Sequence, residues 1–134
     1  MYVAGFVVPV PKENFEAYKA WAKSSAALFK EYGCLETVDS WEDNVPDGSQ
    51  TDFRRAVAAR PGERIVFAWQ VWPCKAEMEA AEARIAKDPR FDIPADIPFD
   101  HRRMILGAFS PVHTMGRAGQ HAPAPLMPPQ HPPS

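Results

Sequence analysis

Apolar residues run almost unbroken from Ile65 to Trp72, with Gln70 as the one polar interruption. In a strand, successive side chains point to opposite faces, so Ile65, Phe67, Trp69 and Val71 share one side while Val66, Ala68 and Trp72 share the other. A strand wetted on one side would alternate apolar with polar. This one wants cover on both faces and reads as a central strand. Residues 2–10 carry the same signature, with Tyr2, Ala4, Phe6, Val8 and Val10 opposite Val3, Gly5 and Val7, and with Pro9 and Pro11 expected to end the run.

The period then changes. Phe15, Tyr18, Ala22, Ser25, Phe29 and Tyr32 recur at intervals of three and four, and Gly33 stands where a helix C-cap belongs. That aromatic stripe reads as the buried face of an amphipathic helix. Residues 34–42 predict a more polar strand, with Leu35, Thr37, Asp39 and Trp41 on one face. The Pro, Asn, Asp and Gly content of residues 43–50 marks an exposed turn, after which residues 53–58 are expected to extend a hairpin arm. Residues 75–86, rich in Ala and Glu, predict a second helix with Met78, Ala81 and Ile85 inward, Cys74 at its N-cap and Asp88-Pro89 stopping it. A proline-punctuated loop over residues 91–99 leads to a last strand at residues 104–109.

The order strand, helix, strand, strand, helix, strand predicts an α+β fold of the ferredoxin-like βαββαβ kind, an antiparallel sheet with two helices on one face. The other face then lacks a lid, because the strands are apolar on both sides and no third helix is expected to cover them. A second copy of the chain, laid sheet to sheet about a two-fold axis, is the simplest cover, so a homodimer is expected.

With 46% hydrophobic and 24% charged residues in a length of 134, the composition suits one ordinary globular core. Residues 1–116 hold the periodic segments and form the predicted domain. In residues 117–134 six of eighteen positions are proline, the composition of an unfolded or polyproline-like tail. A net charge of −2 argues against a nucleic-acid partner. Residues 1–53 carry four lysines and nine acids while residues 54–134 carry eleven basic residues and eight acids, an asymmetry too small to name a partner. No basic leader and no 18-residue apolar run occurs, so no membrane is expected and the cytoplasm is the expected compartment, where Cys34 and Cys74, forty residues apart, are expected as free thiols.

Three stretches resemble one family: Tyr2-Val3-Ala4-Gly5-Phe6-Val7-Val8-Pro9-Val10-Pro11, then residues 41–57 opening on Trp41-Glu42-Asp43-Asn44-Val45-Pro46-Asp47-Gly48, and residues 98–109 opening on Pro98-Phe99-Asp100-His101-Arg102-Arg103. Through them the chain, up to about residue 112, resembles the YbaA-like family of bacterial proteins, a domain of unknown function in the dimeric α/β barrel superfamily. The resemblance implies the barrel-like dimer and assigns no catalytic residue. The proline-rich tail departs from the family's pattern. The wider superfamily includes cofactor-free monooxygenases and haem enzymes that use the pocket between sheet and helices, which is an analogy of fold. Here His101 and His113 belong to no ligand motif, His121 and His131 lie in the tail, and no Cys/His cluster or glycine-rich phosphate loop occurs, so neither metal nor cofactor is expected.

A charged constellation remains: Asp39, Asp43 and Asp52 near the long turn, Arg54 and Arg55 after it, and Asp100 with Arg102 and Arg103 before the last strand. Adjacent arginines in a strand face opposite ways, so one of Arg54 and Arg55 is expected to point inward, onto Asp39, Asp43, Asp52 or Asp100 or onto an anionic ligand. The ligand-binding candidates are therefore Asp52, Arg54, Arg55 and Arg103, with Trp41 or Trp69 as an apolar wall. Two readings follow from different classes. In one, the homodimer binds, or transforms without a cofactor, a compact anionic or aromatic metabolite in a cleft between sheet and helices. In the other, it is a non-catalytic structural or regulatory homodimer whose charged network is architectural.

Overall fold

Residues 1–116 are described by a computed structural model of the chain; the proline-rich tail expected at residues 117–134 lies outside them. Four strands, β1 (Tyr2–Pro11), β2 (Glu36–Trp41), β3 (Glu63–Trp72) and β4 (Ile105–Phe109), form one antiparallel sheet in the order β2-β3-β1-β4. The doubly apolar segments are thus the two inner strands, paired along their whole length from Tyr2 opposite Trp72 to Pro11 opposite Glu63. The more polar β2 lies at one edge. The prolines do not end β1, which continues through Pro9 and Pro11. Its pairing with β4 stops at Val7 opposite Ile105, so both prolines lie where β1 is itself an edge and their missing N–H groups leave no ladder bond unmade.

Three helices accompany the sheet: α1 (Phe15–Glu31), α2 (Phe53–Ala56) and α3 (Lys75–Ile85). Helix α1 ends as its glycine predicts. Gly33 takes φ 102°, its N–H donates to the Lys30 carbonyl at 3.1 Å and the Cys34 N–H donates to that of Phe29 at 3.1 Å, the paired bonds of a Schellman cap. Tyr18 of α1 packs with Val8, Val10, Val66, Ala68 and Phe99, and Met78 and Ala81 of α3 pack with Ala4, Cys34 and Trp72. Both long helices therefore cover one sheet face, and Trp72, 1% exposed, is sealed beneath them.

The expected hairpin arm is instead the short helix α2. Asp52 caps it, its side chain accepting the Arg55 N–H, and a carboxylate at that position favours a helical turn over an extended arm. The turn that follows repeats the Schellman geometry with alanine in place of glycine: the Ala58 and Ala59 N–H groups donate to the carbonyls of Arg55 and Arg54 at 3.1 and 2.8 Å, and Ala58 has φ 50°. An L-residue in this region is strained by about 1 kcal/mol. Ala58→Gly is therefore expected to stabilise the protein by about 0.5–1 kcal/mol, and an unchanged or lowered midpoint in urea denaturation would refute that account of the turn.

Beyond α2, Val57 folds over the second sheet face and buries itself against Val7 and Ile65. Much of the rest of that face is open, although Val71 is buried there. Phe67, Ile105 and Phe109 are 46%, 44% and 62% exposed, and the Phe67 ring stands edge-on between Phe53 and Trp69, with centroids 5.9 and 5.8 Å away. Gly5 lies opposite Gly107 in the ladder. The Phe109 ring rests across this pair, 3.1 Å from where a Cβ on Gly107 would stand. A broad apolar groove of about 830 Å³ runs along this face.

Candidate functional site

Of the charged residues singled out in the sequence, Asp52, Arg54, Arg55, Asp100, Arg102 and Arg103 gather at one end of the sheet, where α2 meets the start of β3 and the turn before β4, whereas Asp39 lies apart from them beside Tyr18. Asp52 Oδ1 accepts the Arg55 N–H at 2.8 Å and Oδ2 accepts the Gly48 N–H at 3.1 Å, and these backbone donors hold its carboxyl below the usual range. The loop leaves no room for a side chain at Gly48, since a Cβ there would collide with the Thr51 carbonyl oxygen. Arg55 is half exposed. Its Nε lies 3.3 Å from Asp52 Oδ2 and its Nη2 donates to the Gly48 carbonyl at 2.8 Å.

Arg54 is the more enclosed of the adjacent pair. Its Nη1 donates to Glu42 Oε1 at 2.8 Å and its Nη2 to the Glu63 carbonyl at 2.6 Å. The same Glu42 oxygen accepts the Ile65 N–H at 2.8 Å, so the pair ties α2 to the strand beside it. The partner is thus Glu42 rather than any of the four aspartates expected, because on a helix neighbouring side chains diverge by about 100° instead of facing opposite ways.

Arg103 holds the most enclosed pair. Its Nη1 and Nη2 donate to the two Glu63 oxygens at 2.7 and 2.6 Å, its Nε to Asp100 Oδ2 at 3.1 Å and its Nη1 also to the Ala58 carbonyl at 3.0 Å. Glu63 is 6% exposed and accepts the Arg60 N–H at 2.6 Å as well. The Arg103 guanidinium pulls the Glu63 carboxyl below its ordinary value and, with Arg102, lowers Asp100 to about 2. Bidentate geometry fixes orientation as well as charge. Arg103 consequently joins the approach to β4 to the turn after α2 and the start of β3, forty and more positions earlier.

The two tryptophan candidates part company. Trp41 pairs with Val66 on the helix-covered face and packs against the Phe15 ring at 4.8 Å. Trp69 lies on the bare face, its Nε1 donating to Glu36 Oε2 at 3.2 Å. They do not share one wall, and neither Arg54 nor Arg55 lines either of the two cavities described here.

The enclosed cavity lies elsewhere, between α1, the covered sheet face and the chain after α3. It measures about 440 Å³ and is lined by Tyr18, Trp21, Phe29, Phe91, Ile93 and Met104, with Thr37, Asp39 and Gln70 among its polar groups. Tyr18 is buried, its ring 5.6 Å from that of Trp21 and 5.8 Å from that of Phe99. Its hydroxyl donates to Asp39 Oδ1 at 2.7 Å. Burial first, and the Asp39 carboxylate second, push the Tyr18 pKa far up, so the phenol stays a donor at any physiological pH. Gln70 is 8% exposed and accepts the Trp72 Nε1–H at 3.0 Å. At the mouth, Arg90 is held by Asp88 at 2.8 Å and Glu31 at 3.1 Å. Phe91 stacks edge-on against Phe29 and Tyr32 at 5.1 and 5.7 Å, fastening this strap to the end of α1.

The sequence reads the cleft residues differently, Tyr18 as core and Asp39 as a possible partner of an arginine, where the structure pairs the two with each other. Tyr18 sits in the helical stripe as one more aromatic, and Asp39 is one carboxylate of several. The available signal is Gln70, whose amide interrupts eight otherwise apolar positions and marks where a polar group enters the covered face.

A four-stranded antiparallel sheet with both long helices on one face, a cleft beneath them and a bare face opposite defines a small α+β protein. Its family follows from comparison: the family described as "Protein of unknown function (DUF1428)" matches residues 1–101, and the chain belongs to it. It is 45% identical over 112 residues to the uncharacterized protein YbaA of Escherichia coli strain K12, a match spanning 83% of this chain and 96% of that protein, with the same figures for YbaA of Shigella flexneri. The family match takes in α1, the cleft's Asp39 and Gln70, and α2, and ends two residues before Arg103. Among the described residues no helix is long and apolar enough to cross a membrane.

Proposed function

We propose that the protein binds a compact apolar or aromatic metabolite in the cleft between α1 and the sheet, and that it does so as a homodimer joined through the bare sheet faces. The cleft carries the reading. At about 440 Å³, with aromatic walls and a few convergent polar groups, it has the size and chemistry of a small-molecule site. An anionic ligand held by Arg54, Arg55 or Arg103 lacks support, because each of the three is engaged by a carboxylate. The network around them is architectural in this reading, as a structural homodimer would also have it. The strand order and the two long helices on one face favour a ferredoxin-like subunit, and the exposed Phe67, Ile105 and Phe109 favour closure by a second copy into a dimeric α/β barrel.

The test is a metabolite screen by thermal shift, run in parallel on wild type and on Ser25→Trp, which places an indole in the cleft from α1. A ligand at about 100 times its dissociation constant stabilises the folded state by about 2.7 kcal/mol, a shift of several degrees in a domain of this size. Hits that stabilise wild type and leave Ser25→Trp unmoved support the cleft. Hits that shift both proteins alike place the site elsewhere and overturn the reading.

A further inference from the structure

We infer that the ligand of the α1 cleft is an organic cation, an ammonium or quaternary amine carried on a small apolar or aromatic body. The inference rests on the cleft being the binding site and adds the charge that the site selects. Two carboxylates, Asp39 and Asp92, line the cavity, and the one arginine that lines it, Arg90, is bound at 2.8 Å to Asp88 and at 3.1 Å to Glu31. The cleft's cation is therefore spent on its neighbours, while both carboxylates, on solvent-exposed residues, line the space a ligand would take and leave its mouth negative.

Asp39 is the anchor. A carboxylate accepts at both oxygens, and Tyr18 uses one of them, donating to Oδ1 at 2.7 Å. The Tyr18 hydroxyl spends its proton on that carboxylate and fixes it at the cavity wall, so Asp39 can take a further donor, and the cavity's remaining arginine is already held by Asp88 and Glu31. The aromatic lining adds to the same preference. Rings present their negative faces to cations, and ammonium recognition in clefts walled by aromatic side chains follows from that quadrupole. Tyr18, Trp21, Phe29 and Phe91 supply four such rings around one cavity. A neutral aromatic ligand would use the rings and leave Asp39 idle, whereas an anion would be repelled by it.

The experiment compares three probes that share a phenyl ring and differ in charge, benzyltrimethylammonium, benzyl alcohol and benzoate, each titrated into the full-length chain and followed by amide chemical shifts. The expected result is a dissociation constant for benzyltrimethylammonium at least about tenfold below those of the other two, shifts centred on Tyr18 and Asp39, and weakening as salt is raised. In Asp39→Asn, which keeps an acceptor for the Tyr18 hydroxyl, the cation's affinity falls about tenfold to that of benzyl alcohol, and benzyl alcohol itself is unaffected. If all three probes shift the cleft with similar affinity, or if Asp39→Asn leaves the cation's affinity unchanged, the charge preference is wrong and the cleft stands as a site. If none of the probes moves a cleft amide at the limit of its solubility, both the preference and the cleft are overturned.

Discussion

Phe67→Asp is expected to run as a monomer in light scattering at micromolar concentration, where the proposed wild-type dimer is expected at twice the 15.0 kDa of one chain. Phe67 is 46% exposed on the bare face, with the rings of Phe53 and Trp69 on either side, so in a sheet-to-sheet dimer it lies in the dry part of the contact. A stable interface of this kind buries more than about 1,200 Å² in total. An unpaired carboxylate enclosed there costs about 3–5 kcal/mol, which weakens association by roughly two to three and a half orders of magnitude. Because the side chain is open to solvent in the single subunit, the variant keeps its fold, and its circular dichroism matches that of wild type. A wild-type protein found only at 15.0 kDa would sink the proposed dimer and leave the bare face without its cover.

Arg103→Ala is expected to lower unfolding free energy by about 3–5 kcal/mol, the size seen when one partner of an enclosed ion pair is removed. The variant strands Glu63, 6% exposed, and releases Asp100 and the Ala58 carbonyl. Arg55→Ala, whose guanidinium is half exposed beside Asp52, should cost at most about 1 kcal/mol. Acid separates the two further. Glu63 and Asp100 bind protons less readily in the folded chain than in the unfolded one, whose values lie near 4.5 and 3.8. Their stabilisation is therefore complete above about pH 5 and is lost as the pH falls toward about 2, the folded value for Asp100. Urea denaturation at pH 6 and pH 3 should show a steep loss in wild type and a much flatter one in Arg103→Ala. Equal slopes would mean that the Arg103 cluster does not govern the acid response.

The sequence determined by itself whatever depends on periodicity. The doubly apolar run of residues 65–72 read as a central strand, which β3 is, and the three-and-four spacing with Gly33 set α1 and its cap, whereas the edge position of the more polar β2 came from the structure. Family membership was legible too, in stretches now matched over residues 1–101. Periodicity is a local property, so it survives in the one-dimensional chain. Short elements carry too little of it: α2 spans four residues, and its one sequence signal, a capping Asp52, was outweighed by the apolar residues around two arginines. The pairing of charges lay further out of reach. Arg103 meets Glu63 across forty positions, and Tyr18 meets Asp39 across twenty-one, contacts that exist only because β1 brings β3 and β4 to its two sides while α1 lies across β2's inner face. Only the tertiary structure decided that the arginines brace one end of the sheet while Asp39, expected to meet an arginine, instead takes the Tyr18 hydroxyl at the cavity, since which group a carboxylate reaches depends on distances in space that spacing along the chain does not encode.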